Sequence, residues 1–152
     1  MIATRSASQV DPSCRPVVAT IAAVFRDGKV LLVRRANPPD AGHWGFSGGK
    51  IEHGETILGA AVRELFEETE ITGEAVRVFT AVDALDHDDN GNVRHHYVLV
   101  VVLCRYVSGT AVAGDDALET RWFSPDELDD TDLALSLDVA RQAAALTDVE
   151  CP

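Results

Sequence analysis

Glu64, Glu67 and Glu68 are the residues whose type and spacing first suggest chemistry. They stand at i, i+3 and i+4 in a stretch that reads as helix, so their carboxylates share one helix face. Like charges at this spacing repel by about 0.2–0.5 kcal/mol per pair. Hard divalent cations such as Mg²⁺ or Mn²⁺ take oxygen ligands and would offset that cost. Cations held this way activate water and neutralise phosphate oxygens. Three glutamates alone are more often a merely solvated acidic face, so the residues around them must decide.

The helix is predicted over 56–69. Leu58, Val62 and Leu65 fall at i, i+4 and i+7 and make one apolar stripe turned well away from the carboxylates. Thr56 is a candidate N-cap, and Gly59 inside the helix costs about 1 kcal/mol against alanine. Upstream, the apolar stretches 17–26 and 30–34 flank Asp27-Gly28, a β-hairpin pattern. Residues 36–44 contain Pro38, Pro39 and Gly42 and read as loop, leading into Gly45-Phe46-Ser47-Gly48-Gly49. Downstream, strands are predicted over 75–85, 93–107 and 119–123, with a hairpin turn at Asn90-Gly91 and a loop over 108–118. Residues 97–103 are almost continuously apolar, as in a sheet covered on both faces. A helical turn is expected over 125–128 and a second amphipathic helix over 133–146. These elements suggest an α/β domain with a mixed sheet and helices on both sides.

Gly49 is followed after five residues by Glu55. Seven residues later come Arg63-Glu64-Leu65, then Glu67-Glu68 and Ile71. This pattern resembles the Nudix box, G-x5-E-x7-R-E-U-x-E-E-x-G-U, where U is aliphatic. Six fixed identities agree, and Leu65 and Ile71 fill the aliphatic slots. Six such matches arise by chance on the order of once in 10⁷ windows. Two positions depart: Glu70 replaces the last glycine, and Ser47 stands where many relatives carry proline. A glutamate held left-handed after the helix would cost about 1 kcal/mol; alternatively the helix runs on toward Gly73. The resemblance extends, less specifically, from about Pro16 to Leu128.

The resemblance implies a Nudix-type α/β/α sandwich with a mixed β-sheet, in which the box forms a loop–helix–loop. It implies that Glu64, Glu67 and Glu68 bind Mg²⁺ or Mn²⁺, often joined by the carbonyl of Gly49. Arg63 would orient a glutamate by salt bridge, and Glu55 would support the loop. The implied reaction is hydrolysis of a diphosphate bond in a small-molecule nucleotide substrate. Glu67 or Glu68 are candidates to take the proton of the attacking water. Relatives also place this base on the loop before the late strand, which here offers Asp115, Asp116 and Glu119; ordinary loop acids, or a salt bridge to Arg121, are the bland alternatives. Arg34 and Arg35 are candidates for phosphate contact, against a plain surface charge. Trp44, Phe46 and Tyr97 are candidates to stack on a base, against simple core packing. Residues 37–39, 44–46 and 95–97 look most like the ADP-ribose-cleaving branch. An enzyme of the 8-oxo-dGTP type and a non-catalytic nucleotide-sugar sensor are the competing readings. Relatives that cleave ADP-ribose are often dimers, which leaves a homodimer open.

Composition bounds the partners. A net charge of −12 repels phosphate backbones and argues against duplex nucleic acid. It also means that an anionic substrate needs a cation between itself and the site. The 46% hydrophobic share supports a real core, and no apolar run reaches the roughly 18 residues that cross a membrane. Residues 1–15 lack the apolar middle of a secretory signal and are expected to form a flexible tail before a single domain over 16–147. Cys14, Cys104 and Cys151 are widely spaced, which argues against disulfides or zinc and for a reducing cytoplasm. Asp86, Asp88, Asn90 and Gly91 imitate a calcium loop, but the twelfth position is Tyr97, so a hairpin turn is expected. His95 and His96 are adjacent on a strand and should face opposite ways.

Overall fold

The computed structural model describes residues 14–37, 41–114 and 116–130. The helix expected over 133–146, most of the expected tail, Pro38, Pro39 and Asp115 lie outside these residues. The element order is β1 (Val17–Arg26), β2 (Lys29–Arg35), β3 (Trp44–Gly45), β4 (Ser47–Lys50), α1 (Ile57–Thr69), β5 (Thr72–His87), β6 (Val93–Ser108) and β7 (Ala117–Phe123), followed by a 3-10 turn at Pro125–Asp130. The strands form one mixed sheet in the order β3-β2-β1-β6-β5, with β4 also on β1 and β7 also on β2. β1 and β6 run parallel from Val17↔Tyr97 to Phe25↔Arg105. The other pairings are antiparallel.

The Asp27-Gly28 turn forms as expected, both residues at positive φ, 51° and 74°, the backbone that a tight two-residue hairpin needs. The hairpin itself is shorter than expected. β1 and β2 pair only at Phe25↔Val30 and Arg26↔Lys29 and then diverge. β4 takes the place of β2 beside Ala19–Ala22, while β2 takes β7 as partner. That exchange seats Gly48 and Gly49 in the sheet directly ahead of α1.

The sheet buries both faces. On one, Ala61 and Leu65 of α1 pack with Ala22, Val24, Leu31, Ile71, Val102 and Cys104. On the other, Phe25, Val30, Leu32, Phe46, Val101, Leu103, Phe123 and Leu128 pack together. Each large side chain buried this way contributes about 1.5–3 kcal/mol. The expected helix stripe needs correction. Leu65 is buried, but Leu58 is 38% exposed, and Ala60, Ala61 and Thr69 complete the buried face. Small residues there let the helix lie close to the sheet. β5 runs over Thr72–His87, beyond the expected 75–85, its extra length accommodated by register irregularities against β6. Among the described residues no helix is long and apolar enough to cross a membrane.

The two lookalikes resolve locally. Asp88 Oδ1 accepts the backbone N–H groups of Asn90 and Asn92, both at 2.9 Å, so this is a side-chain-closed hairpin turn. His95 meets Asp86 at 3.0 Å and His96 meets Asp83 at 3.1 Å, each neighbour turned to its own carboxylate.

Candidate active site

The helix that carries the carboxylates is fixed at both ends. Thr56 is its N-cap, and its Oγ1 accepts the Gly59 N–H at 3.0 Å. A Cβ on Gly59 would come 2.8 Å from that oxygen, so the glycine that weakens the helix also lets the cap close. At the other end Glu70 is left-handed, φ 60° and ψ 10°, and its N–H reaches the Phe66 carbonyl at 2.8 Å. The helix therefore ends where the family's glycine would end it, with glutamate holding a conformation that disfavours a side chain.

The loop before β7 closes over the same helix end. Val112 N–H donates to the Thr69 carbonyl at 2.9 Å and Gly114 N–H to the Glu68 carbonyl at 2.8 Å, satisfying carbonyls that a helix terminus leaves open. A Cβ on Gly114 would strike the backbone of Glu67 and Glu68, so the close approach requires glycine.

Arg63 organises the acidic face. Its Nε donates to Glu55 Oε2 at 2.6 Å and its Nη2 to Glu55 Oε1 at 2.8 Å, a two-point fork. Its Nη1 reaches Glu64 at 2.8 Å and Glu67 at 3.2 Å, and its Nη2 also reaches the Lys50 carbonyl at 3.2 Å. The Arg63 bond holds the Glu55 carboxyl down to about 2, well below the ordinary range. Glu55 also accepts the Glu52 N–H at 3.1 Å, which ties the loop ahead of α1 to the helix. Gly49 lies against Glu64 so closely that a Cβ there would collide with the carboxylate.

Glu68 is the opposite case. Burial pushes its carboxyl up to about 7, and the charges of Glu64 and Asp116 push the same way. A hydrogen bond from Gly48 and the charge of Arg35 oppose the rise. Two half-buried carboxylates, Glu64 and Glu68, thus repel across a small space. A site of oxygen donors with excess negative charge fits a hard divalent cation. Among the described residues no three His, Cys, Asp or Glu side chains converge on one point; Glu67, 57% exposed, is turned to Arg63.

The structure separates the two arginines. Alternation along β2 sends neighbours to opposite faces. Arg35 lies on the helix side, where its charge acts on Glu68. Arg34 pairs with Glu119 across β2 and β7 at 3.1 Å and stands opposite Trp44 in register. Glu119 is therefore held by Arg34, not by Arg121, whose partner is Glu127 at 2.6 Å. Asp116, by contrast, is close enough to Glu68 to act on its charge. Phe46 is 5% exposed and part of the core, the packing role set against stacking in the sequence. Trp44 is half-buried, with its ring edge-on to Phe123 at 5.0 Å. Sequence reasoning passed over Asn37 and the Lys50 carbonyl. Asn37 entered only within residues 37–39, as part of the likeness to the ADP-ribose-cleaving branch, with no role of its own, and the Lys50 carbonyl carries no side-chain signal at all.

A seven-stranded mixed sheet, a box helix behind paired glycines and an arginine-ordered carboxylate face define a class of protein. The NUDIX domain model matches residues 15–144, and the chain belongs to the Nudix family. The ADP-ribose pyrophosphatase of Methanocaldococcus jannaschii is 34% identical over 113 residues, 74% of this chain and 64% of that protein. The oxidized purine nucleoside triphosphate hydrolase of Danio rerio is 45% identical over 53 residues, 35% of this chain and 34% of that protein. The chain thus spans less than two thirds of either relative. The solved structure of a MutT NUDIX hydrolase from Burkholderia pseudomallei superposes with a TM-score of 0.72 at 32% identity, covering 85% of this chain and 98% of that one. Nudix hydrolases generally need divalent metal ions and act on small-molecule nucleotides.

Proposed function

We propose that this protein is a metal-dependent pyrophosphohydrolase. It cleaves the diphosphate bond of a nucleoside diphosphate linked to another moiety, with ADP-ribose or a nucleotide sugar favoured. The observation that carries the reading is the Arg63 fork on Glu55, with Glu64 and Glu67 on the same guanidinium and Glu68 half-buried beside Arg35 and Asp116.

Glu64, Glu67, Glu68 and the Gly49 carbonyl would hold Mg²⁺ or Mn²⁺, which would supply neutralisation of the diphosphate charge and a more acidic attacking water. Arg35 donates to a phosphate oxygen on the helix side of the sheet. Asp116 takes the proton of the attacking water, favoured over Glu119 because Glu119 is committed to Arg34. Arg63 keeps Glu64 and Glu67 aligned, and Glu55 keeps Arg63 aligned. Trp44 offers a flat edge to the substrate beside Arg34. A cytoplasmic location belongs to the same reading, on the three widely spaced cysteines that show no disulfide pattern.

ADP-ribose leads on the Methanocaldococcus relative, which aligns over most of this chain. Hydrolysis of an oxidised nucleoside triphosphate stands second on identity alone: the oxidized purine nucleoside triphosphate hydrolase of Mus musculus aligns over as much of the chain, 114 residues, but at 30% against 34%. A panel of ADP-ribose, nucleotide sugars and oxidised triphosphates, with each metal and with chelator, separates them by phosphate release, coupled to phosphatase for the diphosphate-linked substrates and to inorganic pyrophosphatase for the triphosphates. Metal-dependent turnover of ADP-ribose is expected. Turnover of the triphosphate alone moves the assignment to the second substrate, and folded protein that binds nucleotide but cleaves nothing is a sensor.

A further inference from the structure

Asn37 lies two residues beyond the end of β2 and 79 residues from Asp116 in the chain, yet its side-chain Nδ2 donates to Asp116 Oδ1 at 3.1 Å. The neighbouring Ala36 N–H donates to the Asp116 backbone carbonyl at 3.1 Å. From the other side, the Gly114 N–H anchors the same loop to the Glu68 carbonyl at 2.8 Å. The backbone bonds place the loop; the Asn37 amide sets the direction of the carboxylate.

We propose that Asn37 is a positioning residue for the hydrolysis, holding the Asp116 carboxylate beside Glu68 so that it receives the proton of the attacking water. The inference rests on the reading of Asp116 as the proton acceptor. The water oxygen forms the new bond to phosphorus. The bridging oxygen–phosphorus bond breaks, with its electron pair on the departing phosphate. The proton goes to Asp116 Oδ2, because Oδ1 is engaged by Asn37. A neutral amide suits this task. Arginine or lysine here would orient the carboxylate equally well but weaken it as a base by stabilising its charge. An amide aims it without placing a second full charge beside it.

Steady-state kinetics with Mn²⁺, on the panel substrate turned over fastest, compares wild type, Asn37→Ala, Asn37→Asp, Asp116→Ala and the double Asn37→Ala/Asp116→Ala variant. Mn²⁺ binding by electron paramagnetic resonance and Tm are measured alongside. Asn37→Ala should lower kcat about tenfold, with KM, Mn²⁺ affinity and Tm close to wild type. Asn37→Asp, the same size but repulsive, should lower kcat further. The double variant should be no slower than Asp116→Ala, because the amide acts only through that carboxylate. Losses that add in the double variant, or a lower Tm with both kcat and KM disturbed, would assign Asn37 a structural role and overturn the inference. Full activity of Asn37→Ala beside a slow Asp116→Ala overturns it while sparing Asp116. Full activity of Asp116→Ala, or a wild type that cleaves nothing, removes the reading beneath it and the role of Asn37 with it.

Discussion

At the scale of residues, Glu68 and Arg63 set opposite demands. With no metal bound, the raised carboxyl of Glu68, about 7 against an ordinary 4.5, binds its proton more tightly in the folded state than in the unfolded one. The stability this confers is fully present below about pH 4.5 and is lost as pH rises through about 7. A cation must displace that proton to bind. Mn²⁺ affinity, measured by titration calorimetry, should therefore weaken by up to about tenfold per pH unit below 7 and level off above it. Glu68→Gln should flatten the profile. Glu55 works the other way: its lowered carboxyl stabilises the fold above about pH 4.5 and ceases to do so as pH falls toward 2. Lysine cannot make the fork that Arg63 makes on Glu55 while reaching Glu64. Arg63→Lys should lower kcat/KM by about 10–100-fold with the circular dichroism unchanged.

At the scale of elements, the C-cap of α1 is where the chain departs from its family pattern at a cost. Glu70 at φ 60° is strained as glycine would not be. Glu70→Gly should stabilise the protein by about 1 kcal/mol, seen as a Tm increase of about 2–4 °C with turnover unchanged. A lower Tm would mean that the glutamate makes a contact worth more than the strain. This helix was also the most legible part of the sequence. Its cap, its carboxylate face and the arginine among them are set by spacing within one turn or two. What stayed hidden depends on distant partners. The divergence of β1 from β2 follows from competition by β4 and β7. The exposure of Leu58 follows from how close the sheet lies to Ala60 and Ala61. The pairing of Glu119 with Arg34 rather than Arg121 follows from the register of β7 on β2, and the Asn37 bond joins segments that no local pattern connects. Alternation along β2 already suggested that Arg34 and Arg35 part company, but the register shift of β7 between them, which leaves Glu119 opposite Arg34 and Ala117 opposite Arg35, was not legible.

At the scale of the whole molecule, a chain of net charge −12 must attract an anion to an acidic site. On the proposed reading, cation binding resolves that conflict and ties catalysis to the box. The most direct test measures Mn²⁺ binding and ADP-ribose hydrolysis on the same preparations of wild type and Glu68→Gln, with and without chelator. Wild type should bind Mn²⁺ and release AMP and ribose 5-phosphate, chelator should abolish turnover, and Glu68→Gln should bind the ion more weakly and lose about 10²–10⁴-fold in rate. Turnover that survives both chelation and the Glu68→Gln substitution would contradict a metal-dependent reaction centred on this helix.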